Sequence, residues 1–324
     1  MSIESGLVER IRERGVPAPG ATDSGMRIAY GTDRGTMYQC SAEEFLASSC
    51  AGRCRGKVQL IFTSPPFPLN RKKRYGNLQG TAYIDWLAAF APLFGELLKP
   101  DGSIVMEMGN AWEPGKPVMS TLALRALLAF LDAGQFFLCQ QFICYNPARL
   151  PTPAQWVNVE RIRVKDAFTH LWWMSKAERP EANNRLVLKE YSESMLRLLS
   201  SKKYNAGKRP SEHNIGKSSF LRNNAGAIPS NVLTFANTNA NDEYLSYCRE
   251  KGVRPHPARM HPRLAEFFIK FLTERRDLVL HPFGGSNTTG AAADKLKRRW
   301  LSLEPNPGCV SGYVVQKSQR VMWN

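Results

Sequence analysis

The chain has 324 residues, 43% of them hydrophobic, and a net charge of +16 at pH 7. That apolar fraction suffices for one large core and excludes fibrous and wholly disordered chains, while the cationic surplus favours a polyanionic partner, nucleic acid first, over a small neutral ligand. Seven cysteines (Cys40, Cys50, Cys54, Cys139, Cys144, Cys248 and Cys309) are scattered without a CxxC pair or a Cys/His cluster at zinc spacing, which predicts reduced thiols in a cytoplasmic protein and no metal.

Residues 1–26, rich in Gly, Pro, Ser and charge, predict a mobile N-terminal arm, and their alternation of charge with apolar residues is not that of a signal peptide. From Lys57 to Thr63 the run KVQLIFT is short and β-rich and ends at a double proline that no strand interior tolerates, so a strand delivers Ser64-Pro65-Pro66-Phe67 to a sheet edge. Leu87, Phe90, Phe94 and Leu97 recur at helical spacing, and Pro100-Asp101-Gly102 closes that helix before a strand over Ser103–Met108. Ser120 reads as the N-cap of the next helix, Gly134 as its C-terminal cap, and QFFLCQQFICY as a further strand. Alternating strands and helices imply an α/β fold with a mainly parallel sheet covered on both faces. The rhythm is lost between about Ala177 and Glu250, where Asn, Ser, Lys and Gly dominate, as in an inserted recognition segment or a solvated irregular region. It resumes after Val253 with an amphipathic helix (RLAEFFIKFL), a strand (DLVLHPF), a glycine-rich loop, a helix over Thr288–Lys297 and a strand (RWLSLE).

The loop after that penultimate strand, His281-Pro282-Phe283-Gly284-Gly285-Ser286-Asn287-Thr288, stands where a doubly wound sheet binds its ligand. Gly284 and Gly285 permit close backbone approach, and Ser286, Asn287 and Thr288 can bond a ligand or cap the helix. Twenty residues after Gly284, Glu304 ends the next strand, positioned to accept hydrogen bonds from both hydroxyls of a ribose. A GxxxxGK[ST] phosphate loop is absent, since Gly216-Lys217-Ser218 has Ser211 in place of the upstream glycine, which disfavours an ATPase. Ser64 beside the Pro65 carbonyl can accept both hydrogens of an aromatic amine and turn its lone pair toward an electrophile, while Phe67 can stack on a base swung out of a duplex. Arg71, Lys72, Lys73 and Arg74 follow directly and suit phosphate contacts.

These segments resemble the amino-methyltransferases of bacterial restriction-modification systems, in the permuted, beta-type arrangement where the catalytic motif precedes the cofactor motif. The resemblance runs from about Met37 to Glu304 and rests on the order and spacing of TSPPF, the basic loop with YGN, KPDGS, Asn146-Pro147, LPTPAQWVN, RIRVKDA, WWMSK, HPAR at His256–Arg259, and FGGSNTTG. It implies a Rossmann-like, circularly permuted methyltransferase fold, S-adenosylmethionine as methyl donor, base flipping, and double-stranded DNA as substrate. The domains it implies are a catalytic part over 27–176, a target-recognition insertion over 177–250 bearing the DNA-contacting Lys208, Arg209 and Lys217, and a cofactor part over 251–324. Further implied are catalysis by Ser64, Pro65, Pro66 and Phe67, and a cofactor site drawing on Ser41, His256, Pro257, His281, Phe283, Gly284, Gly285, Ser286, Asn287, Thr288 and Glu304. In such enzymes Glu304 holds the ribose, the HPAR segment closes over the methionine, and Met37–Glu44 flanks the adenine. Two positions depart from the pattern: Cys40 stands where an acid usually precedes Ser41, and His281 where an Asp usually opens the cofactor motif, with Glu107 an alternative acceptor for the methionine ammonium.

The Ser form of the tetrapeptide accompanies cytosine-N4 methylation in that family and the Asp or Asn form more often adenine-N6 methylation. Carbon-5 cytosine chemistry needs a Pro-Cys dipeptide, which is lacking. An adenine-N6 enzyme, a catalytically decayed DNA-binding protein and an RNA methyltransferase are the rivals. A homodimer, a cognate restriction endonuclease acting on the same site, and nucleoid association complete what the resemblance implies.

Overall fold

The structure, a computed structural model, describes residues 26–67, 78, 80–236, 243–252, 254–256 and 259–308. All but Met26 of the arm expected over residues 1–26, the basic loop Arg71–Arg74, Pro257 and Cys309 lie outside them. The chain divides into a large unit, with boundaries at Ala182 and Asn231, and a small unit, Asn183–Ser230.

The large unit is built on a nine-stranded sheet. Its strands are β1 (Arg27–Thr32), β2 (Gly35–Gln39), β3 (Val58–Thr63), β4 (Leu98–Gly109), β5 (Phe137–Tyr145), β6 (Phe168–Ser175), β9 (Val232–Thr234), β10 (Leu278–His281) and β11 (Arg299–Leu303), in the order β1-β2-β11-β10-β3-β4-β6-β5-β9. The five central strands β2, β11, β10, β3 and β4 are parallel. Every residue of β3 and of β10 is buried, as expected where helices cover both faces and no polar side is needed. The strand carrying the glycine loop comes late in the chain yet sits centrally, between β11 and β3.

Helices α1 (Ala42–Leu46), α2 (Ser49–Cys54), α3 (Gly80–Leu97) and α4 (Leu122–Gly134) bury Phe45, Ala51, Leu87, Phe90, Phe94 and Phe130 in one core with Ile61, Ile104 and Met106. On the opposite core, α7 (Pro262–Leu272) and α8 (Thr288–Lys295) bury Leu264, Phe268, Ile269 and Ala292 with Leu60, Phe62, Val105 and Val279. Alternate residues of β3 and β10 therefore feed opposite cores, the two-residue period of a strand. Helix α6 (Glu243–Lys251) contributes buried Tyr244 and Cys248. Among the described residues no helix is long and apolar enough to cross a membrane.

The expected elements are present, but α4 is bounded by Thr121 and a left-handed Gln135 rather than by Ser120 and Gly134, because the chain reverses one residue later at each end, and three further differences stand out. Strand β4 starts at Leu98 rather than Ser103, because Leu98 pairs with Val58 and the register then jumps to Leu60 opposite Ser103, carrying Pro100-Asp101-Gly102 as a bulge within the strand. Strand β6 runs antiparallel between β4 and β5: the α4 crossover leaves one strand position open, and the chain turns back from β5 to fill it. The region over 177–250 is not uniformly irregular, since β9 pairs with β5 and returns the chain to the large sheet. That return is fixed at Asn231, whose carbonyl accepts from Ile143 N at 2.8 Å and whose amide donates to Gln141 O at 2.9 Å, while the outgoing chain is held by Glu181 N on Asp101 O at 3.1 Å.

The small unit contains a 3-10 turn (Asn184–Val187), helix α5 (Glu193–Ser201) and a hairpin of β7 (Gly207–Lys208) and β8 (Asn214–Ile215). Only Gly226 in it is buried. Its order comes from polar contacts, such as the Tyr191 hydroxyl accepting from Asn224 N at 2.8 Å, and from the Tyr204–Phe220 edge contact.

Gly35 shows how closely β2 and β11 approach. A Cβ there would stand 2.2 Å from the Trp300 carbonyl oxygen and 2.3 Å from its ring, and Trp300 is fully buried. Gly35→Ala is expected to lower stability by about 1–3 kcal/mol through overpacking, read as a lower urea midpoint at unchanged slope.

Candidate active site

Because five parallel strands share one direction, their carboxyl ends share one edge. Cys40 and Ser41 follow β2, Glu304 follows β11, Pro282-Phe283-Gly284-Gly285 follows β10, Ser64-Pro65-Pro66-Phe67 follows β3 and Asn110 follows β4. The topology thus brings segments more than 200 residues apart to one rim, as open α/β sheets do.

The glycine loop is drawn tight against β11. Gly284 N donates to Leu303 O at 2.6 Å, and a Cβ on Gly284 would lie 2.8 Å from that same oxygen. Gly285 takes φ +51° and donates its N–H to Glu304 Oε2 at 2.9 Å, while the His256 ring stands 3.2 Å from where its Cβ would be. Glu304 Oε1 accepts from Asn306 N at 2.9 Å. A carboxylate offers about four lone-pair directions, so two such bonds leave capacity for a ligand.

Asn287 is placed otherwise than as a ligand contact. It is buried and caps α8: Oδ1 accepts from Gly290 N (3.1 Å) and Ser302 Oγ (2.6 Å), and Nδ2 donates to the Tyr30 hydroxyl (2.9 Å). Its amide is spent on tying the loop to β11 and β1. Ser286, also buried, shares a 3.0 Å hydroxyl contact with Thr288. Ser41 caps α1 in a reciprocal box with Glu44, accepting from Glu44 N at 3.1 Å while its own N–H donates to the Glu44 carboxylate at 2.7 Å. Burial pushes the Cys40 thiol up to about 12, so it stays protonated and supplies no negative charge where an acid was expected.

A cavity of about 260 Å³ opens at this rim, lined among others by Ser41, Glu43, Pro66, Trp86, Phe283 and Pro305. Two of its walls were not singled out from sequence. Glu43, on α1, accepts from Trp86 Nε1 at 2.9 Å, and the Trp86 ring lies 5.7 Å from that of Phe283. An acid and a tryptophan 43 positions apart carry no joint signal until α1 and α3 are brought together.

Ser64 is half-buried and Pro65 buried. Phe67 lies against the backbone of Gly109, where a Cβ would come within 2.7 Å of its ring. Next to it, Asn110 Nδ2 donates to Asp166 Oδ1 at 2.9 Å and its Oδ1 contacts His170 Nε2 at 3.0 Å, a connection that ties the β5–β6 loop to the end of β4. Lys208, Arg209 and Lys217 belong to the small unit, where Lys208 and Lys217 are exposed and Arg209 donates to Asn205 O at 2.9 Å. No cluster of three His, Cys, Asp or Glu that could hold a metal occurs among the described residues.

His281 and Glu107 are the two acid-position candidates. His281 is buried, and burial, with nearby His256, pushes its pKa down to about 3, so the ring is neutral at physiological pH. Glu107 accepts from Thr169 Oγ1 at 3.0 Å; burial outweighs that bond and the attraction of Arg149 and pushes its carboxyl up to about 6.

Residues 58–314 match the sequence profile of a family described as DNA methylase. The chain is 44% identical over 289 residues to the type II methyltransferase M.PvuII of Proteus hauseri, an alignment covering 89% of this chain and 84% of that protein. It is 23% identical over 257 residues to the type II methyltransferase M.HpaI of Haemophilus parainfluenzae, covering 77% and 64%. The solved structure of the PvuII DNA methyltransferase (cytosine-N4-specific) superposes with a TM-score of 0.70 at 38% identity, over 90% of this chain and 88% of that one. The M1.HpyAVI–SAM complex shares the fold at 19% identity and a TM-score of 0.51, over 88% and 99%.

The raised Glu107 carboxyl has a signed consequence. The folded state holds this proton more tightly than the unfolded chain, so stability rises as pH falls from about 6 toward 4.5 and the penalty of a buried charge is felt above that window. Glu107→Gln is therefore expected to stabilise the fold by about 2 kcal/mol at pH 8 and by little at pH 4.5, measured as urea midpoints at the two pH values.

Proposed function

The chain belongs to the DNA methylase family, and on that footing we propose that it transfers a methyl group from S-adenosylmethionine to the exocyclic N4 amine of a cytosine flipped out of double-stranded DNA. The observation that carries this reading is that Pro66 of the Ser64–Phe67 segment and Phe283 of the glycine loop line the same cavity. A base-amine binding segment and a nucleoside binding loop thus share one space. The likeness to a cytosine-N4-specific relative at 38% identity supports the choice of base.

The residues present fit the cofactor. An aromatic cavity bounded by Trp86 and Phe283 suits a purine, the Glu304 carboxylate retains acceptor capacity for ribose hydroxyls, and Gly284 admits no side chain between the loop and β11. When bound, S-adenosylmethionine supplies an electrophilic methyl carbon.

The chain's own groups do the rest. A cytosine amine is a weak nucleophile because its lone pair is delocalised into the ring. Ser64 Oγ and the Pro65 carbonyl accept its two hydrogens, which draws the nitrogen toward tetrahedral geometry and directs the lone pair to the donor. The two prolines hold that carbonyl on a backbone with no N–H groups to compete for it. Phe67 stacks on the extruded base and offsets part of the unstacking cost of a few kcal/mol.

Duplex contacts fall to the cations. Between Asn183 and Ser230 there are nine Lys or Arg against three acidic residues, in a unit with almost no buried side chain, a composition suited to a surface ordered against phosphates. Lys208, Arg209 and Lys217 are assigned there, as are Arg71, Lys72, Lys73 and Arg74, which follow the Ser64–Phe67 segment in the sequence. The relatives being type II methyltransferases, a restriction endonuclease acting on the same site is the proposed functional partner.

Two outcomes are expected. DNA methylated by the purified protein, digested and analysed by mass spectrometry, contains N4-methylcytosine; N6-methyladenine in its place would overturn the target assignment. Ser64→Ala lowers turnover by about 10²-fold or more with cofactor affinity nearly unchanged, read by methyl incorporation and calorimetry together.

A further inference from the structure

The loop between β5 and β6, residues 146–167, stands at the same rim as the Ser64–Phe67 segment, because β6 runs antiparallel to β4 and pairs Thr169 with Gly109 at its end. Phe67 packs on that Gly109, and the neighbouring Asn110 holds the loop through Asp166 Oδ1 at 2.9 Å. The loop is also tied internally. Asp166 N donates to Thr152 O at 2.9 Å, Ile162 N and Arg163 N donate to Trp156 O at 2.9 and 3.1 Å, and Arg163 Nε reaches Pro117 O at 3.1 Å. Yet every residue from Asn158 to Lys165 is exposed. Val164 is 86% exposed, more than any other large apolar side chain among the described residues, and Leu150, Val159 and Ile162 are exposed on the same loop.

Exposed apolar side chains are ordinary when scattered; several on one loop, interleaved with cations beside a site, call for a partner. Arg161, Arg163 and Lys165 alternate with Ile162 and Val164, so the loop offers no unbroken apolar face of the kind a protein partner covers. A duplex with one base swung out offers the complement: phosphates on its flanks and, between two base pairs, a gap walled by unstacked base faces. A loop whose backbone is already fixed loses little entropy on entering it. We propose that Val164 enters the duplex beside the extruded base and fills the space it leaves, while the neighbouring cations meet the phosphates. Phe67 then stacks on the base outside the helix and Val164 stands in for it inside, so the cost of extrusion is offset on both sides. The inference rests on reading the chain as a base-flipping DNA methyltransferase and assigns the side chain that holds the duplex open.

The test uses two short duplexes that carry one site found by sequencing DNA methylated by the parent protein. In one the target cytosine is paired with guanine; in the other it faces adenine and is extruded at lower cost. Each result is kcat/KM of the variant relative to the parent on the same duplex. Val164→Ala, which removes two methyl groups, is expected to lose about 10-fold on the paired duplex and less than about threefold on the mismatched one. Val164→Leu, which keeps an apolar side chain of similar size, is expected to stay within about threefold of the parent on both. An equal loss on the two duplexes would make Val164 a residue that shapes the loop or touches DNA without serving extrusion, and would overturn the proposal, as would an unchanged rate on the paired duplex. Failure of the parent protein to methylate any DNA would instead overturn the methyl-transfer reading, and the proposal with it.

Discussion

Strand β10 is four residues long, wholly buried, and bonded on one side to β11 and on the other to β3. Everything at the site depends on that parallel pairing. It sets the glycine loop level with Glu304 on one flank and with Ser64 on the other, and it leaves no freedom to slide, because a shift of one residue would exchange the two buried faces. The loop then inherits its shape from the strands: Gly284 bonded to Leu303, Gly285 to Glu304, and Asn287 spanning Ser302, Tyr30 and Gly290. The bonds that shape the loop are thus all made within the fold itself.

Much of this was legible in the residues because the signals are local. A β-rich run broken by Pro65-Pro66 has one physical reading, and a glycine pair between a buried strand and a helix, followed by an acid at the next strand end, has few. What escaped sequence reading depends on distant pairing. The antiparallel direction of β6 follows from an open position beside β4, the bulge at Lys99–Gly102 from the β3 register, and the Glu43–Trp86 bond from the meeting of α1 and α3. For Asn287 the residue type left a ligand contact or a helix cap open, and the structure shows the cap, with a left-handed backbone (φ 58°) and three buried partners anchoring the loop.

His281 and Glu107 mark where local burial rules bend. One is an imidazole with no described partner, the other a carboxyl raised to about 6 with a single hydroxyl donor, and both lie on the sheet near its carboxyl rim. A sequence optimised only for stability would replace both with apolar residues, so groups of this kind are expected where function and folding compete.

The small unit leaves the sheet and returns to it between two fixed points, Glu181 on Asp101 and Asn231 on Gln141 and Ile143. Because its departure and return are each secured on the sheet, its sequence is free to drift, lengthen or be exchanged by recombination while the strand ends stay in place. The segment between those two points can therefore diverge in sequence well ahead of the strands that carry the loops.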